Sequence, residues 1–283
     1  MGKGSIDIIH GNNFDILKSL ESGRFRLIYM DPPFNTGKVQ SKLYMKNKPS
    51  EEGDRRGFKG KKYKTEVISN IGYEDTFENL SDFLYPRLEE CKRLLTDDGS
   101  VFVHLDYREV HDVKVHVMDK VFGRENFKNE IIWAYDYGAK PKNRWPAKHD
   151  TILWYVKDND NYVFNYDRVD RVPYMAPNLV SKEKAEEGKM LTDVWWNTIV
   201  CGKEKTGYPT QKPIAITDRI VKVHSKRGDW LLDPFAGSGT FGQSAMNFNR
   251  NCVLVDQSEE SIKVMKERFS NAMFFYNISI SEF

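Results

Sequence analysis

The chain alternates between short apolar runs and stretches in which apolar residues recur every three or four positions. The runs predict buried strands at residues 6–9, 25–30, 100–105, 129–135, 230–233, 252–256 and 273–276. The three- and four-residue spacing predicts helices at 14–20, 80–95, 106–121, 240–249 and 259–269, with another ending near His224. This alternation is typical of an α/β fold built on a doubly wound, mostly parallel sheet.

Two regions depart from this pattern. Residues 35–72 show little periodicity and carry a run of lysines, which predicts a basic mobile loop. Residues 139–206 contain aromatic-rich alternating segments followed by a polar stretch. We therefore expect one main domain, formed by residues 1–138 and 207–283, with an insertion at 139–206 packed on it.

Charge is unevenly distributed along the chain. The net charge of the 283 residues is only +2, but residues 35–66 contain ten basic and four acidic side chains. A charge run of this kind is also typical of a loop that is simply solvated. Because the run begins directly after residues 31–34, however, contact with nucleic acid is favoured. A second basic stretch surrounds Trp145. The candidate nucleic-acid contacts are Lys38, Lys42, Lys140, Lys142, Arg144 and Trp145.

Other bulk properties narrow the class of protein. No apolar run approaches membrane-spanning length, so we expect a soluble, cytoplasmic protein without a membrane partner. The three cysteines, Cys91, Cys201 and Cys252, are too far apart for a zinc site and odd in number, which is not typical of a disulfide framework. No metal site is predicted.

A glycine-rich turn lies between the predicted strand at 230–233 and the helix at 240–249. Residues 237–242 match the pattern G-x-G-x-x-G, and Asp256 ends the following strand. Glycine permits a tight turn and a close approach of ligand to backbone, and an acid at the next strand end accepts hydrogen bonds from ribose hydroxyls. The pattern predicts a nucleoside cofactor, but not a P-loop, because the Gly-Lys-Ser/Thr spacing is missing.

The residues alone leave the identity of that cofactor open. The glycine pattern favours a nicotinamide or flavin dinucleotide. Asp233, directly before the turn, favours S-adenosylmethionine, because a carboxylate attracts the cationic amino group of a methionine moiety and repels a pyrophosphate. A strand-to-helix connection that uses glycine only for its geometry is a third interpretation.

The second turn of interest is Asp31-Pro32-Pro33-Phe34, directly after the apolar run 27–30. The prolines fix φ and remove two backbone donors, which leaves the Asp31 carboxylate and the Pro32 carbonyl as acceptors for a substrate NH₂ group. Phe34 would stack on an extruded base. The same tetrapeptide also occurs as a simple turn. Its place after a buried strand, together with the glycine turn, favours a catalytic site.

With both motifs considered, the chain resembles the amino-methylating DNA methyltransferases that use S-adenosylmethionine. Their catalytic motif is Asp-Pro-Pro-Phe/Tyr, and their cofactor motif contains Phe-x-Gly-x-Gly. Placing the catalytic motif first is similar to the β group, a circular permutation of the class I methyltransferase fold, with target recognition in the 139–206 insertion. Residues 208–213 are similar to the family's Pro-Thr-Gln-Lys-Pro element, and residues 9–13 to its Gly-Asp segment, with Asn12 where Asp is common.

The resemblance implies particular roles for particular residues. Asp31, Pro32, Pro33 and Phe34 are expected to be catalytic. The expected cofactor contacts are Asn12, Asn13, Asp31, Thr210, Lys212, Asp233, Phe235, Ala236, Gly237, Ser238, Gly239, Thr240 and Asp256.

The implied activity is transfer of the methyl group of S-adenosylmethionine to adenine N6 of double-stranded DNA, in a restriction-modification or orphan system. Aspartate at the head of the catalytic motif favours adenine, because serine is frequent there in cytosine-N4 enzymes. Cytosine-N4 methylation, a dinucleotide-dependent oxidoreductase and a non-catalytic nucleic-acid-binding module are the alternatives. A cognate restriction endonuclease and a second copy of the chain, forming a homodimer, are candidate partners.

Overall fold

The computed structural model describes residues 4–33, 38–49, 55–56, 62–75, 79–138, 140–196, 199–200, 202–270 and 272–276. Its strands are β1 (Ile6–His10), β2 (Phe25–Met30), β3 (Lys38–Pro49), β4 (Arg55–Arg56), β5 (Lys62–Asp75), β6 (Leu95–Asp106), β7 (Phe127–Ala134), β8 (His149–Val156), β9 (Arg171–Val172), β10 (Lys189–Met190), β11 (Val194–Trp196), β12 (Trp230–Asp233), β13 (Asn251–Asp256) and β14 (Met273–Tyr276). Its helices are α1 (Asn13–Ser19), α2 (Leu80–Leu94), α3 (Val110–Val113), α4 (Asp119–Phe122), α5 (Lys182–Glu187), α6 (Ile214–His224), α7 (Thr240–Asn247) and α8 (Glu259–Arg268). A π-helical turn, Lys114–Met118, joins α3 to α4.

Nine strands form the central sheet, in the order β11-β7-β8-β6-β2-β12-β13-β1-β14. All of the pairings are parallel except the two made by β8, which runs antiparallel to both β6 and β7. The predicted doubly wound, mostly parallel sheet is therefore confirmed.

Helices cover both faces of this sheet. Alternate residues of β2 enter different cores, because side chains on a strand point to opposite faces. Ile28 and Met30 pack in a core with α1, α2 and the helical run 110–122. Leu27 and Tyr29 pack in a second core with α6, α7 and α8. Burial on both faces explains why the sequence of β2 is almost continuously apolar.

Neighbouring strands bring the two sequence motifs together. β12 pairs in parallel with β2, with Leu231 opposite Leu27 and Leu232 opposite Ile28. Asp31 follows β2 and Asp233 ends β12, so both carboxylates lie at the same edge of the sheet. Ligands of open α/β sheets bind outside the carboxyl ends of the strands, which places a site here.

The expected boundary of the insertion needs correction. Residues 149–156, assigned to the insertion from their aromatic content, form β8 in the interior of the main sheet. β11 also joins this sheet, at its edge beside β7. An antiparallel strand buried on both faces has the same apolar sequence as a parallel one, and its position in the sheet depends on long-range pairing.

The expectation of a loop at 35–72 is also wrong for most of its length. β3 and β5 form a long antiparallel pair, with Lys38 opposite Asp75 and Pro49 opposite Tyr63. Lysines alternate with Val39, Leu43 and Met45 in β3, a period of two that the density of charge obscured. No helix among the described residues is long and apolar enough to cross a membrane.

Candidate active site

A single cleft at the carboxyl ends of β2, β12 and β13 contains most of the predicted site. Twelve of the thirteen expected cofactor contacts line it: Asn12, Asn13, Asp31, Thr210, Lys212, Asp233, Phe235, Ala236, Gly237, Ser238, Thr240 and Asp256. Pro33 lines it as well, whereas Pro32 is buried beside it. Phe34 lies outside the described residues. The structure thus brings the two motifs into one cleft.

The Asp31 carboxylate is held by Lys212. The Lys212 Nζ donates to Asp31 Oδ1 at 2.7 Å and to Oδ2 at 2.6 Å, across 181 residues of sequence. Both side chains are mostly buried, and such charge-assisted hydrogen bonds are stronger than neutral ones. Lys212, expected to contact the cofactor, therefore also positions the carboxylate expected to be catalytic.

The backbone N–H groups of the glycine turn are largely used within the protein. Phe235 N donates to Asp233 Oδ1 at 3.0 Å, and Ala236 N donates to the Val255 carbonyl at 3.0 Å. Gly237 N donates to Asp256 Oδ2 at 2.8 Å, and Gly239 N donates to the Ala236 carbonyl at 2.7 Å. A pyrophosphate is normally held by free N–H groups of such a turn, so this arrangement opposes a dinucleotide.

Two glycines of the turn are required by its geometry. Gly237 has φ +49°, and a Cβ there would lie 3.2 Å from the ring of Tyr208 across the cleft. Gly239 has φ +73°, and a Cβ there would lie 2.8 Å from the Phe269 ring. Gly239 does not line the cleft. It lets the chain enter α7 while packed on α8, which is a structural role rather than the predicted ligand contact.

Charge in the cleft is not balanced. The described residues lining it include three carboxylates, Asp31, Asp233 and Asp256, and two cations, Arg87 and Lys212. Burial raises the pKa of Asp233 well above its usual value, and the nearby Asp31 and Asp256 raise it further, while Lys212 lowers it. Burial also raises the pKa of Asp256. A cationic group of a ligand beside Asp233 would favour its ionised form and balance the third carboxylate.

S-adenosylmethionine has the matching charge. Its sulfonium and ammonium groups and its single carboxylate give a net charge of one positive unit, whereas NAD is a net anion. The Asp233 carboxyl is only 3% exposed and sits beside the turn that the ligand would approach. The residues present therefore fit the methionine-based cofactor and not the dinucleotide.

The amino-terminal segment of the cleft is tied to the glycine turn. Asn13 Nδ2 donates to the Pro234 carbonyl at 2.9 Å, and Asn13 Oδ1 accepts from Arg87 Nε at 2.8 Å. Asn12 caps α1 by accepting from Phe14 N at 2.9 Å. Both asparagines thus hold the wall of the cleft in addition to facing it.

Sequence reasoning missed several residues of the cleft. Those with side chains that shape it are Tyr29, Phe83, Arg87, Tyr208 and Phe241. Arg87 had a detectable signal, since it occupies a buried position on the apolar stripe of α2 between Leu84 and Cys91. Burial lowers its pKa to about 10, which leaves it charged at neutral pH. Tyr208 had no signal in the sequence other than its place directly before the Pro-Thr-Gln-Lys-Pro element.

A buried hydrogen-bonded chain lies beside the cleft. Tyr29 Oη and His104 Nδ1 are 2.8 Å apart, and His104 Nε2 lies 3.2 Å from Asp150 Oδ2. Tyr135 Oη donates to Asp150 Oδ1 at 3.0 Å. Although burial opposes its ionisation, hydrogen bonds from His104 and the charge of Lys212 lower the pKa of Asp150. Burial raises the pKa of Tyr29, so its hydroxyl stays protonated at neutral pH.

The candidate DNA contacts are all on the outside of the molecule where their side chains are described. Lys140, Lys142, Arg144 and Trp145 are exposed in the connection between β7 and β8. Lys38 and Lys42 lie on β3, and their side chains are outside the described part of the structure.

Comparison with known families agrees with this geometry. The family model for the N6- and N4-specific enzymes, described as DNA methylase, matches residues 25–267. The chain belongs to the DNA methylase family. This family takes its methyl group from S-adenosylmethionine, and the match covers both the Asp31 turn and the glycine turn. The oxidoreductase interpretation is therefore wrong.

Individual relatives span nearly the whole chain. The type II methyltransferase M.HpaI of Haemophilus parainfluenzae is 28% identical over 93% of this chain and 74% of its own length. The DNA adenine methyltransferase YhdJ of Escherichia coli K12 is 29% identical over 97% and 86%.

Solved structures share the fold at lower identity. PvuII DNA methyltransferase, described as cytosine-N4-specific, has a TM-score of 0.66 at 15% identity, over 99% of this chain and 90% of its own. The M1.HpyAVI–SAM complex has a TM-score of 0.58 at 22% identity, over 93% and 98%. These likenesses support the class I methyltransferase fold.

Proposed function

We propose that this DNA methylase transfers the methyl group of S-adenosylmethionine to the exocyclic amino group of adenine in double-stranded DNA. The observation that carries the proposal is the shared cleft, in which Asp31 and Pro33 face the turn 233–240. Adenine is favoured over cytosine by the aspartate at position 31 and by the named activity of YhdJ.

The chemistry of the turn at Asp31 suits an amino substrate. The exocyclic amine of adenine is a poor nucleophile, because its lone pair is delocalised into the ring. The Asp31 carboxylate and the Pro32 carbonyl can accept its two hydrogens, since neither Pro32 nor Pro33 has an N–H to compete. Lys212 fixes the orientation of the carboxylate. Asp31, directly or through water, then takes up the proton that the nitrogen releases.

The cofactor is held opposite this turn. When bound, S-adenosylmethionine supplies a methyl carbon that its sulfonium makes electrophilic. Asp233 would hold a cationic group of the methionine moiety, and Asp256, whose Oδ1 and Oδ2 each accept one backbone N–H, would accept a ribose hydroxyl with its remaining lone pairs. Proximity and orientation then supply much of the rate.

DNA would reach this cleft across the exposed basic segment around Trp145. Lys140, Lys142 and Arg144 would contact phosphates, as would Lys38 and Lys42 on β3, and Phe34 would stack on the extruded base. Target recognition is proposed for the predicted insertion at 139–206, chiefly its residues 157–193 between the two strands that join the main sheet.

Two further partners belong to the proposal. A restriction endonuclease of the same specificity is supported by relatives such as M.HpaI and M.HinfI, which are named type II methyltransferases. A gene for an endonuclease next to the gene for this chain would indicate a paired restriction-modification system. Its absence would indicate an orphan methyltransferase. A homodimer would elute at twice the chain mass of 33.0 kDa in size-exclusion chromatography with light scattering.

The central test measures the modified base directly. The full chain is incubated with labelled S-adenosylmethionine and unmethylated DNA, and the digested nucleosides are separated by mass spectrometry. We expect N6-methyladenine, with transfer abolished in Asp31→Ala and retained in Asp112→Ala, a change of an exposed aspartate on α3. N4-methylcytosine would refute the choice of base, and undiminished transfer by Asp31→Ala would refute the catalytic site. Sequencing of the modified DNA gives the target sequence.

A further inference from the structure

The connection between β7 and β8 presents one aromatic side chain entirely to solvent. Trp145 is 95% exposed, although tryptophan is among the residues that gain most from burial. It is absent from the ring contacts and hydrogen bonds of the described residues. Because an exposed apolar ring of this size marks an interaction surface, we expect a ligand to cover Trp145 when it binds.

The side chains around Trp145 indicate the charge of that ligand. Lys140, Lys142 and Arg144 are all exposed, and none has an ion-pair partner in the part of the chain that the structure describes. Three such cations can contact the phosphates of a nucleic acid, and an exposed indole beside them can stack on its bases. We call residues 140–148 the Trp145 loop.

The base of the Trp145 loop is held firmly. Tyr135 N donates to the Lys148 carbonyl at 2.9 Å, and Lys148 Nζ donates to the Tyr137 carbonyl. The rings of Tyr135 and Tyr137 stack with their centres 4.5 Å apart, and Tyr135 Oη is fixed to the buried Asp150. Pro146 restricts the backbone of Trp145 to extended conformations. The indole is therefore presented on an ordered support.

Strand order places this loop near the catalytic turn. β7 and β8 meet the loop at the edge of the sheet where β2 ends, because Ala134 pairs with His149 and Asp150 pairs with Asp106. β8 is two strands from β2, a separation of roughly 10 Å at the usual strand spacing. A duplex with one base in the cleft would run within reach of the Trp145 loop.

We propose that Trp145 enters the gap that the extruded adenine leaves in the duplex, and keeps that adenine outside the helix. The inference rests on the proposed function. The indole stacks on the flanking base pairs in place of the target base, as apolar wedges do between base steps in other protein–DNA complexes. Trp145 is thus a positioning residue, and it does not touch the reacting atoms.

The test uses base extrusion as its readout. The probe is a duplex with the mapped target sequence and 2-aminopurine at the target adenine, whose fluorescence rises when it leaves the stack. At equal DNA occupancy we expect Trp145→Ala to reduce the extruded fraction about 10- to 100-fold, the usual range for loss of one base–aromatic stack. Trp145→Phe should retain more of the signal. Val115→Ala, which removes an exposed apolar side chain from the π-helical turn 114–118, should behave as the wild type.

A second duplex separates this role from a structural one. When the target adenine lies opposite an abasic site, extrusion needs little help, so Trp145→Ala should methylate within about twofold of the wild type. The proposal is overturned if Trp145→Ala extrudes the base normally, as it would if Trp145 contacted a protein partner instead. A defect that the abasic duplex does not relieve overturns it too. Failure of the wild type to methylate the target adenine of the abasic duplex would instead refute the proposed function.

Discussion

His224 makes the stability of this protein sensitive to mild acid. It ends α6, is 6% exposed, and lies among the rings of Trp154, Phe102 and Phe164 at centre distances of 4.3, 4.8 and 5.4 Å. Burial lowers its pKa to about 3, although a hydrogen bond to the backbone of Val163 partly opposes this shift. Its Nδ1 is buried with no hydrogen-bond partner among the described residues, so a second ring proton would have no acceptor.

The direction and size of the effect follow from the two pKa values. The unfolded chain binds a proton to this ring near pH 6.5, whereas the folded protein does so only near pH 3. Stability is therefore full well above pH 6.5 and falls as the pH drops towards 3. Linkage gives a loss of about 0.2 kcal/mol at pH 7 and about 2 kcal/mol at pH 5 from this residue alone.

The assay compares unfolding by urea at pH 7 and pH 5 for the wild type and His224→Phe. Phenylalanine suits an aromatic environment and cannot titrate, so the wild type should lose about 2 kcal/mol more than the variant between these pH values. Far-UV circular dichroism is the probe, because Trp154 contacts the mutated ring and would complicate fluorescence. The control, His116→Gln on the exposed side of the helical run, should keep the wild-type difference. Equal losses for the wild type and His224→Phe would refute the argument.

Three further predictions concern the cleft. Lys212→Met leaves Asp31 without its buried partner, so methyl transfer measured with labelled cofactor should fall at least about tenfold. Lys212→Arg should recover part of the lost rate. A wild-type rate in Lys212→Met would contradict the positioning role. Asp233→Asn keeps the acceptor for Phe235 N but removes a buried ionisable group. Calorimetry should therefore show S-adenosylmethionine binding that is weaker by about 10-fold or more. Thermal unfolding of the unliganded variant should show no loss of stability. Gly239→Ala should destabilise by about 1–3 kcal/mol, seen as a lower melting temperature, because of its φ of +73° and the crowding against Phe269.

Local sequence was sufficient for the elements that carry the two motifs. The apolar runs of β2, β12 and β13 are bounded by Asp31, Asp233 and Asp256, and each predicted strand end agrees with the structure. This succeeds because strand ends, proline turns and glycine turns are set by residues close in sequence. The shared cleft then follows from parallel pairing alone.

The rest depends on pairings between distant residues. The sequence predicts β8 as part of the insertion, because nothing in its own residues shows that it pairs between β6 and β7. It predicts Lys212 as a cofactor ligand, because the partner Asp31 is 181 residues away. The lysines of β3 obscured a strand whose pairing with β5 supplies the regularity. In each case a long-range pairing decided the structure, and local propensity did not.

The charge balance of the cleft links the fold to the choice of cofactor. Parallel pairing of β2, β12 and β13 forces three carboxylates to one edge, and like charges at that edge are unfavourable without compensation. Lys212 compensates the charge of Asp31, and Arg87 adds a second positive charge to the wall. The described lining residues therefore include three acidic side chains but only two cations. S-adenosylmethionine brings a further positive charge, and the demethylated product, which has lost the sulfonium, does not. The excess of negative charge in the cleft should therefore favour the cofactor over its product, which promotes exchange of product for cofactor after each transfer.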